Sequence, residues 1–391
     1  MKKIIGRKTC RVCGSKKLKS VFLLGNLFVS DFVKQPNEKG MRCPLELISC
    51  GHCTLLQLKH TAPQEILYTR HYWYRSGINP VIVKDLKEIV EVALKMVDMG
   101  EGDRFLDIGA NDGTLLSFVP NTYFRIGVEP AKNLIEELKK NCEVAINDFW
   151  RGDLFNYKAK IITAIGMFYD MDDPGQFIRD AKKALTNDGI FIAQLMTLKA
   201  MLEKNDIGNI CHEHLEFYSY QSLKELFERN GLEIFKVEEN SINGGSYRLF
   251  ARHYDRGSIN YKEPKEDYKT FIKTIRDNKR KAVKFIKDAV RSGKKVYAFG
   301  ASTKGNTVLQ YYGLSHKWIT GIADRNPEKY GKYTVGTRIP IVPESQADKE
   351  ADYYFILPYA FLGYFKRKKR TWLKNGGIFI VSTPEFRLIT R

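Results

Sequence analysis

Two C-x-x-C pairs near the start of the chain, Cys10-Arg11-Val12-Cys13 and Cys50-Gly51-His52-Cys53, stand with 36 residues between them. One C-x-x-C turn places two thiolates on a single ion, and two such turns complete the tetrahedral set that zinc prefers. Gly14 and Gly51 suit the tight backbone of each knuckle, and the long separation predicts a hairpin or small sheet between them. Four thiolates leave no open coordination position, so the chemistry expected is structural. A redox role explains one pair, but a doubled motif less well. Cys43 lies outside both pairs and is expected to be a buried bystander.

A second centre is the run Arg104-Phe105-Leu106-Asp107-Ile108-Gly109-Ala110-Asn111-Asp112-Gly113-Thr114. Phe105 to Ile108 reads as a strand, and Gly109 and Gly113 let the chain turn beneath a ligand. The run has neither G-x-G-x-x-G spacing nor the lysine of a phosphate loop. Carboxylates in such a turn repel a pyrophosphate and suit a cationic sulfonium, which favours S-adenosylmethionine over a nicotinamide dinucleotide. The next strand ends at Glu129, placed to accept hydrogen bonds from ribose hydroxyls. Asp148 and Phe149 then offer an acidic group and an aromatic surface for adenine. A nicotinamide-binding fold remains the alternative for this segment.

A third centre is Asn209-Ile210-Cys211-His212-Glu213-His214, which follows the strand-like run Gly189 to Gln194. Two histidines flanking a glutamate concentrate proton-transfer groups. The spacing is not H-E-x-x-H. Taken alone, a structural histidine cluster explains the segment equally well. Its position past a strand's carboxyl end, where doubly wound sheets form their ligand crevice, favours a site. Downstream, Asn243-Gly244-Gly245-Ser246-Tyr247-Arg248 reads as a hairpin turn, or as a close ligand approach in which Arg248 meets a phosphate or carbonyl.

The elements that must position these groups fall into three blocks: residues 1–75 with the knuckles, 76–258 alternating strands and amphipathic helices, and 259–391 opening on a charged linker, a long polar helix and a second α/β unit. At 391 residues, several domains are expected. No apolar run reaches the length of a membrane span, and the N-terminus lacks an apolar signal core, so a cytoplasmic enzyme is expected. The net charge of +19 raises nucleic acid as a partner, but the basic residues are spread along the chain with no interleaved aromatic stripe, which disfavours it. A basic cleft for an anionic nucleotide needs far less charge.

Taken in order, these motifs resemble the sugar C-methyltransferases of deoxysugar biosynthesis, over nearly the whole chain. The resemblance includes Tyr72-Trp73-Tyr74-Arg75-Ser76-Gly77, Gly300-Ala301-Ser302-Thr303-Lys304-Gly305-Asn306 and Asp324-Arg325-Asn326-Pro327. It implies an α/β fold: a class I methyltransferase core of Rossmann-like type, a small N-terminal zinc module and a C-terminal Rossmann-like domain that helps hold the nucleotide. It further implies methylation of the carbon beside the ketone of a nucleotide-linked 4-keto-deoxysugar, by a monomer or homodimer. His214 would be the general base, with Glu213 beside it and Tyr72 or Tyr74 facing the sugar. His212, Asn243, Gly244, Gly245, Ser246, Arg248, Ser302, Lys304 and Asn306 would line the substrate. Relatives carry tyrosine where this chain has Cys211, and a tryptophan followed by a polar residue near Leu357-Pro358-Tyr359-Ala360-Phe361. O- or N-methylation, or a zinc protein that binds without turnover, are the rival readings.

Overall fold

The structure is a computed structural model that describes residues 3–69, 71–154 and 156–390. In the N-terminal block, strands β1 (Leu18–Phe28) and β2 (Arg42–Cys50) pair antiparallel, and β3 (Leu56–Leu58) adds to β2. Alternation along β2 buries Cys43, Leu45 and Leu47, and Ile48 and Cys50 are buried beyond it on the opposite phase. The hairpin expected between the knuckles is therefore present. Each knuckle is a backbone turn: the Gly14 amide donates to the Cys10 carbonyl at 3.0 Å, and Gly14 has φ +71°.

The central block is a seven-stranded sheet. Its strands are β4 (Arg104–Ile108), β5 (Phe124–Val128), β6 (Val144–Ile146), β7 (Ala159–Ile165), β8 (Leu185–Met196), β10 (Leu232–Asn240) and β11 (Ser246–His253), ordered β10-β11-β8-β7-β4-β5-β6. The omitted β9 (Glu216–Phe217) pairs antiparallel with β3 instead, so the zinc module's sheet includes a strand from the middle of the chain. The five strands from β8 to β6 are parallel, and a terminal antiparallel hairpin, β10–β11, closes one edge. Helix α1 (Pro80–Met96) packs on this sheet. Asn79 caps it by accepting from the Val81 amide, Pro80 supplies a helix-ready φ, and Ile82, Leu86, Ile89, Val90 and Ala93 form one buried stripe. Each of its larger apolar side chains contributes roughly 1.5–3 kcal/mol by leaving water.

The third block opens on α2 (Tyr268–Arg291), capped by Asp267. The sequence reads it as a polar helix; Phe271, Ile275, Asn278, Ala282 and Ile286 are buried along one face, so its polarity is that of the solvent side alone. A six-stranded sheet follows, with β12 (Val296–Phe299), β13 (Ile322–Asp324), β14 (Ile341–Pro343), β15 (Tyr353–Ile356), β16 (Ile378–Val381) and β17 (Arg387–Ile389), in the order β14-β13-β12-β15-β16-β17. All pairings but the last are parallel. Helix α3 (Thr303–Tyr312) leaves the carboxyl end of β12 and lies against β1, where Gln310 bonds both the amide and the carbonyl of Phe28. Phe32–Val33 also pairs with Tyr333–Thr334. The first and third blocks thus touch directly. Among the described residues, no helix is long and apolar enough to cross a membrane.

Arg248 occupies an unexpected place. From β11 it donates to Gln194 Oε1 at 2.9 Å, Asp85 Oδ1 at 2.9 Å and Glu88 Oε1 at 3.0 Å, tying β11 and β8 to α1. It is 2% exposed and does not line the cavity described below, which corrects its reading as a substrate contact: all three of its guanidinium nitrogens are committed to protein acceptors. Arg248→Met should therefore cost about 3–5 kcal/mol in urea unfolding, because Asp85 is left buried beside no cation. Lost substrate affinity with unchanged stability would return Arg248 to the site.

Candidate active site

The carboxyl ends of the central strands, the loop Tyr72–Asn79 and the turn after β12 enclose a cavity of about 360 Å³. His214 and Glu213 line it from the central block, Tyr72 and Tyr74 from the loop, and Ser302 and Lys304 from the third block. Asn243, with φ +52°, and Ser246 complete the wall at the hairpin, so these eight sequence-selected residues are brought together.

His214 is 5% exposed, and its Nδ1 lies 2.8 Å from the carbonyl oxygen of Asn209. A carbonyl only accepts, so Nδ1 carries the hydrogen and Nε2 keeps its lone pair. Burial first, and then the nearby Lys304 ammonium, hold the imidazole well below its ordinary pKa, opposed by the Asn209 bond. It is thus a neutral base at physiological pH. Its ring packs edge-on against Tyr169, with centroids 4.6 Å apart. The Glu213 carbonyl accepts from Tyr68 Oη at 2.7 Å, and its side-chain Oε2 is buried with no hydrogen-bond partner.

Other expected substrate residues stand elsewhere. His212 is 1% exposed, outside the cavity, with Nε2 2.9 Å from the Cys43 carbonyl; the bystander cysteine's backbone is what fixes it. Asn306 donates to the Val335 carbonyl and accepts from Thr337 Oγ1, holding a loop of its own domain. Gly244 and Gly245 shape the hairpin: a Cβ on Gly245 would sit 2.4 Å from Ala200 Cβ, and on Gly244 3.2 Å from Asp206 Oδ2. Cys211 is fully buried behind the wall, whereas Ala360 lines the cavity, so only the second of the two departures alters its surface.

The cofactor turn lies behind the Tyr72–Gly77 loop. Asn111, with φ +53°, accepts from the Ser76 amide and donates to the Tyr74 carbonyl, and Asp112 accepts from the Gly77 amide at 2.8 Å. Glu129 at the end of β5 receives the amides of Asn111 and Ala131, at 2.9 and 2.8 Å. Asp107 is fixed by Thr163 Oγ1 at 2.6 Å. Burial chiefly pushes Asp107 up to about 7 and Glu129 up to about 6, each held down by its hydrogen bonds. Gly109, with φ +74°, closes on Met167, whose Cγ a Cβ would meet at 2.7 Å. Gly113 approaches the backbone of Leu138 in the same way. The two buried carboxyl groups, Asp107 and Glu129, at the ends of adjacent strands are of the right chemistry for a cationic, ribose-bearing cofactor, and the glycines between them are required by close packing on Met167, Asn141 and Leu138. Asp148 is ion-paired with Arg151 at 2.8 Å, and Phe149 packs edge-on against Tyr68. None of these eight residues lines the cavity itself.

Sequence reasoning passed over Asp170, Asp206 and Tyr169, all on the cavity wall. Asp170 lies five residues past the carboxyl end of β7, in the stretch after a parallel strand where a ligand crevice forms, and that position was the available signal. Asp206 precedes the His-Glu-His segment in a turn of ordinary appearance; burial pushes it up to about 6, against the pull of Lys304.

In the knuckles, the sulfurs of Cys10, Cys13, Cys50 and Cys53 all lie within 4.8 Å of one another, with Cys10–Cys53 at 3.5 Å and Cys13–Cys50 at 3.6 Å. A tetrahedral zinc with bonds near 2.3 Å sets its sulfurs about 3.8 Å apart, so the four fit. Arg11, inside the first knuckle, donates to Gln57, the Leu58 carbonyl and Thr61, and its guanidinium stands 3.4 Å from Glu216.

Comparison with known proteins agrees with this architecture. Residues 10–68 match a putative zinc binding domain, 83–237 a methyltransferase domain, and 241–384 a C-methyltransferase C-terminal domain. These matches and the four-cysteine cluster define a S-adenosylmethionine-dependent methyltransferase with a zinc-binding domain. More particularly, the match over residues 241–384 is to a domain described for C-methyltransferases. It is 28% identical to the C-methyltransferase NovU of Streptomyces niveus, over 97% of this chain and 96% of that one. Among solved structures, the mitomycin 7-O-methyltransferase MmcR is 14% identical over 45% of this chain and 55% of its own, with a TM-score of 0.36. A methyltransferase of Clostridium acetobutylicum is 12% identical over 44% and 92%, also at 0.36.

The protein should carry about one zinc per chain, and Cys10→Ser or Cys53→Ser should lose both the metal and the module's fold. Zinc content and near-ultraviolet circular dichroism check this. A metal-free protein with an intact spectrum would sink the knuckle assignment.

Proposed function

We propose that the protein methylates the carbon beside the ketone of a nucleotide-linked 4-keto-deoxysugar, with His214 as the general base. The observation that carries this reading is the buried, neutral imidazole whose Nδ1–H is spent on the Asn209 carbonyl, in a cavity walled by two domains. S-adenosylmethionine, held by the Asp107–Gly113 turn and Glu129, supplies an electrophilic methyl group. The chain must remove a proton from a carbon acid and stabilise the charge that results. His214 Nε2 takes that proton, and Asn209 holds the ring in the basic tautomer. Tyr72 and Tyr74 present phenol groups beside the sugar. Lys304 and Arg325 line the cavity from the third block and supply positive charge for a diphosphate. The kinship with a C-methyltransferase supports carbon as the acceptor, and the basic wall of the third block supports a nucleotide-linked one.

His214→Ala should abolish turnover while S-adenosylmethionine still binds, measured by mass gain of one methyl and by calorimetry; near-normal turnover would remove His214 as the base. In the active enzyme, solvent deuterium should enter the carbon beside the ketone; its absence would favour O- or N-transfer. Because burial lowers the His214 pKa, and the base must be unprotonated, the acid limb of kcat should fall below pH 6.5 and not at it.

A further inference from the structure

Asp170 has no part in the proton abstraction just described, yet it is placed as a reacting group would be. Its side chain lines the cavity, is 7% exposed, and leaves Oδ1 buried without a hydrogen-bond partner. Its backbone is immobilised, since the Asp170 amide donates to Met167 and the adjoining Tyr169 carbonyl accepts from both Leu215 and Glu216. Those two bonds fix the Asp170 turn against the His214 segment. Glu213 brings a second unpartnered buried oxygen, Oε2, to the same wall. An unsatisfied buried carboxyl oxygen costs about 1–3 kcal/mol, and two on one wall are retained where a ligand satisfies them.

We propose that Asp170 is a neutral carboxylic acid in the resting enzyme and donates a hydrogen bond to the oxygen of the substrate ketone as it becomes an enolate. The inference rests on the proton-abstraction reading of the same cavity. The proton leaves carbon for His214 Nε2, the C–H pair becomes the C=C bond of the enolate, and the carbonyl π pair moves to oxygen. Asp170 shares its proton with that oxygen without giving it up. With S-adenosylmethionine bound, the enolate carbon would form the new C–C bond to the methyl group, the electron pair of the broken S–CH3 bond would stay on sulfur as the neutral thioether leaving group, and the C=O bond would be restored.

Burial makes the ionised form of Asp170 expensive, and the neighbouring Glu213 and Glu216 add to that cost, so its pKa is raised well above the carboxylate range. Lys304 opposes this from the third block. Tyr68, Tyr72, Tyr169 and Cys211 also face Asp170, and burial raises each of them too, so each stays neutral beside it and Lys304 is the cation that acts on it. An acid that must stay protonated gives an alkaline limb: the rate holds at low pH and falls as pH rises through its raised pKa.

The test uses full-length, zinc-loaded protein with S-adenosylmethionine and a nucleotide-linked 4-keto sugar. Asp170→Asn keeps a donor in the same space, and Asp170→Ala removes it. Loss of one such donor costs about 100- to 1,000-fold in kcat, so the alanine variant should fall by that amount and the asparagine variant by about 10-fold, with S-adenosylmethionine affinity unchanged in both. The alkaline limb should vanish in Asp170→Asn. Difference infrared spectroscopy, which needs no turnover, should show a protonated-carboxyl band in wild type that Asp170→Asn lacks. The proposal is overturned if that band is missing from wild type, if Asp170→Ala keeps wild-type kcat, or if Asp170→Asn loses cofactor affinity. A wild-type enzyme that shows the band yet neither exchanges nor methylates any keto sugar would instead overturn the parent reading and leave Asp170 as an acid of another reaction.

Discussion

The carbonyl oxygen of Tyr169 accepts two backbone hydrogen bonds, from Leu215 at 2.8 Å and Glu216 at 3.1 Å, and the active-site geometry depends on that shared acceptor. It locks the turn after β7 to the segment carrying Glu213 and His214. Asp170 and His214 therefore move as one unit, although 43 residues separate them in the sequence. The Met171 amide, donating to Glu216 Oε2 at 3.3 Å, and the Tyr169 ring against His214 tie the same turn to the same segment a second and third time.

The lock is reinforced from the zinc module. Arg11 sits between two zinc ligands, and its buried guanidinium stands against Glu216 at 3.4 Å and Asp172 at 3.5 Å. β9 joins the module's sheet one residue after Leu215. Closing the knuckles thus orders the far side of the segment that forms the cavity wall. A closed four-thiolate site contributes here through position, since it offers no vacancy for substrate or water.

The opposite wall comes from the third block, through α3 and the turn before it. Gln310 and the Phe32–Val33 pairing hold that block to the zinc module. This orientation brings Lys304 close enough to the central residues to oppose protonation of His214. Arg75 spans the same gap, bonding Glu137 of the core and Glu328 of the third block. The loop carrying Tyr72 and Tyr74 is therefore clamped between domains, with the cofactor turn on one side and the cavity on the other.

Local rules, acting over a few residues, were enough to read the doubled C-x-x-C, the strand ending in Asp107, the positive-φ glycines of the turn and the acidic end of β5. Turn geometry, strand alternation and ligand spacing are all short-range properties. The sequence also carried His214 and its neighbours as a cluster. It did not separate His214, which faces the cavity, from His212, which is spent on the Cys43 carbonyl. Adjacent residues differ there only in which way the backbone points them. Nor did it show that Arg248 finds its acceptors on α1, that Asn306 braces its own domain, or that Asp170 is left unpartnered. Those outcomes depend on residues tens to hundreds of positions away. Whether a polar side chain becomes a brace or a reactive group was settled by which partners reached it when the three sheets closed, and only the tertiary structure holds that information.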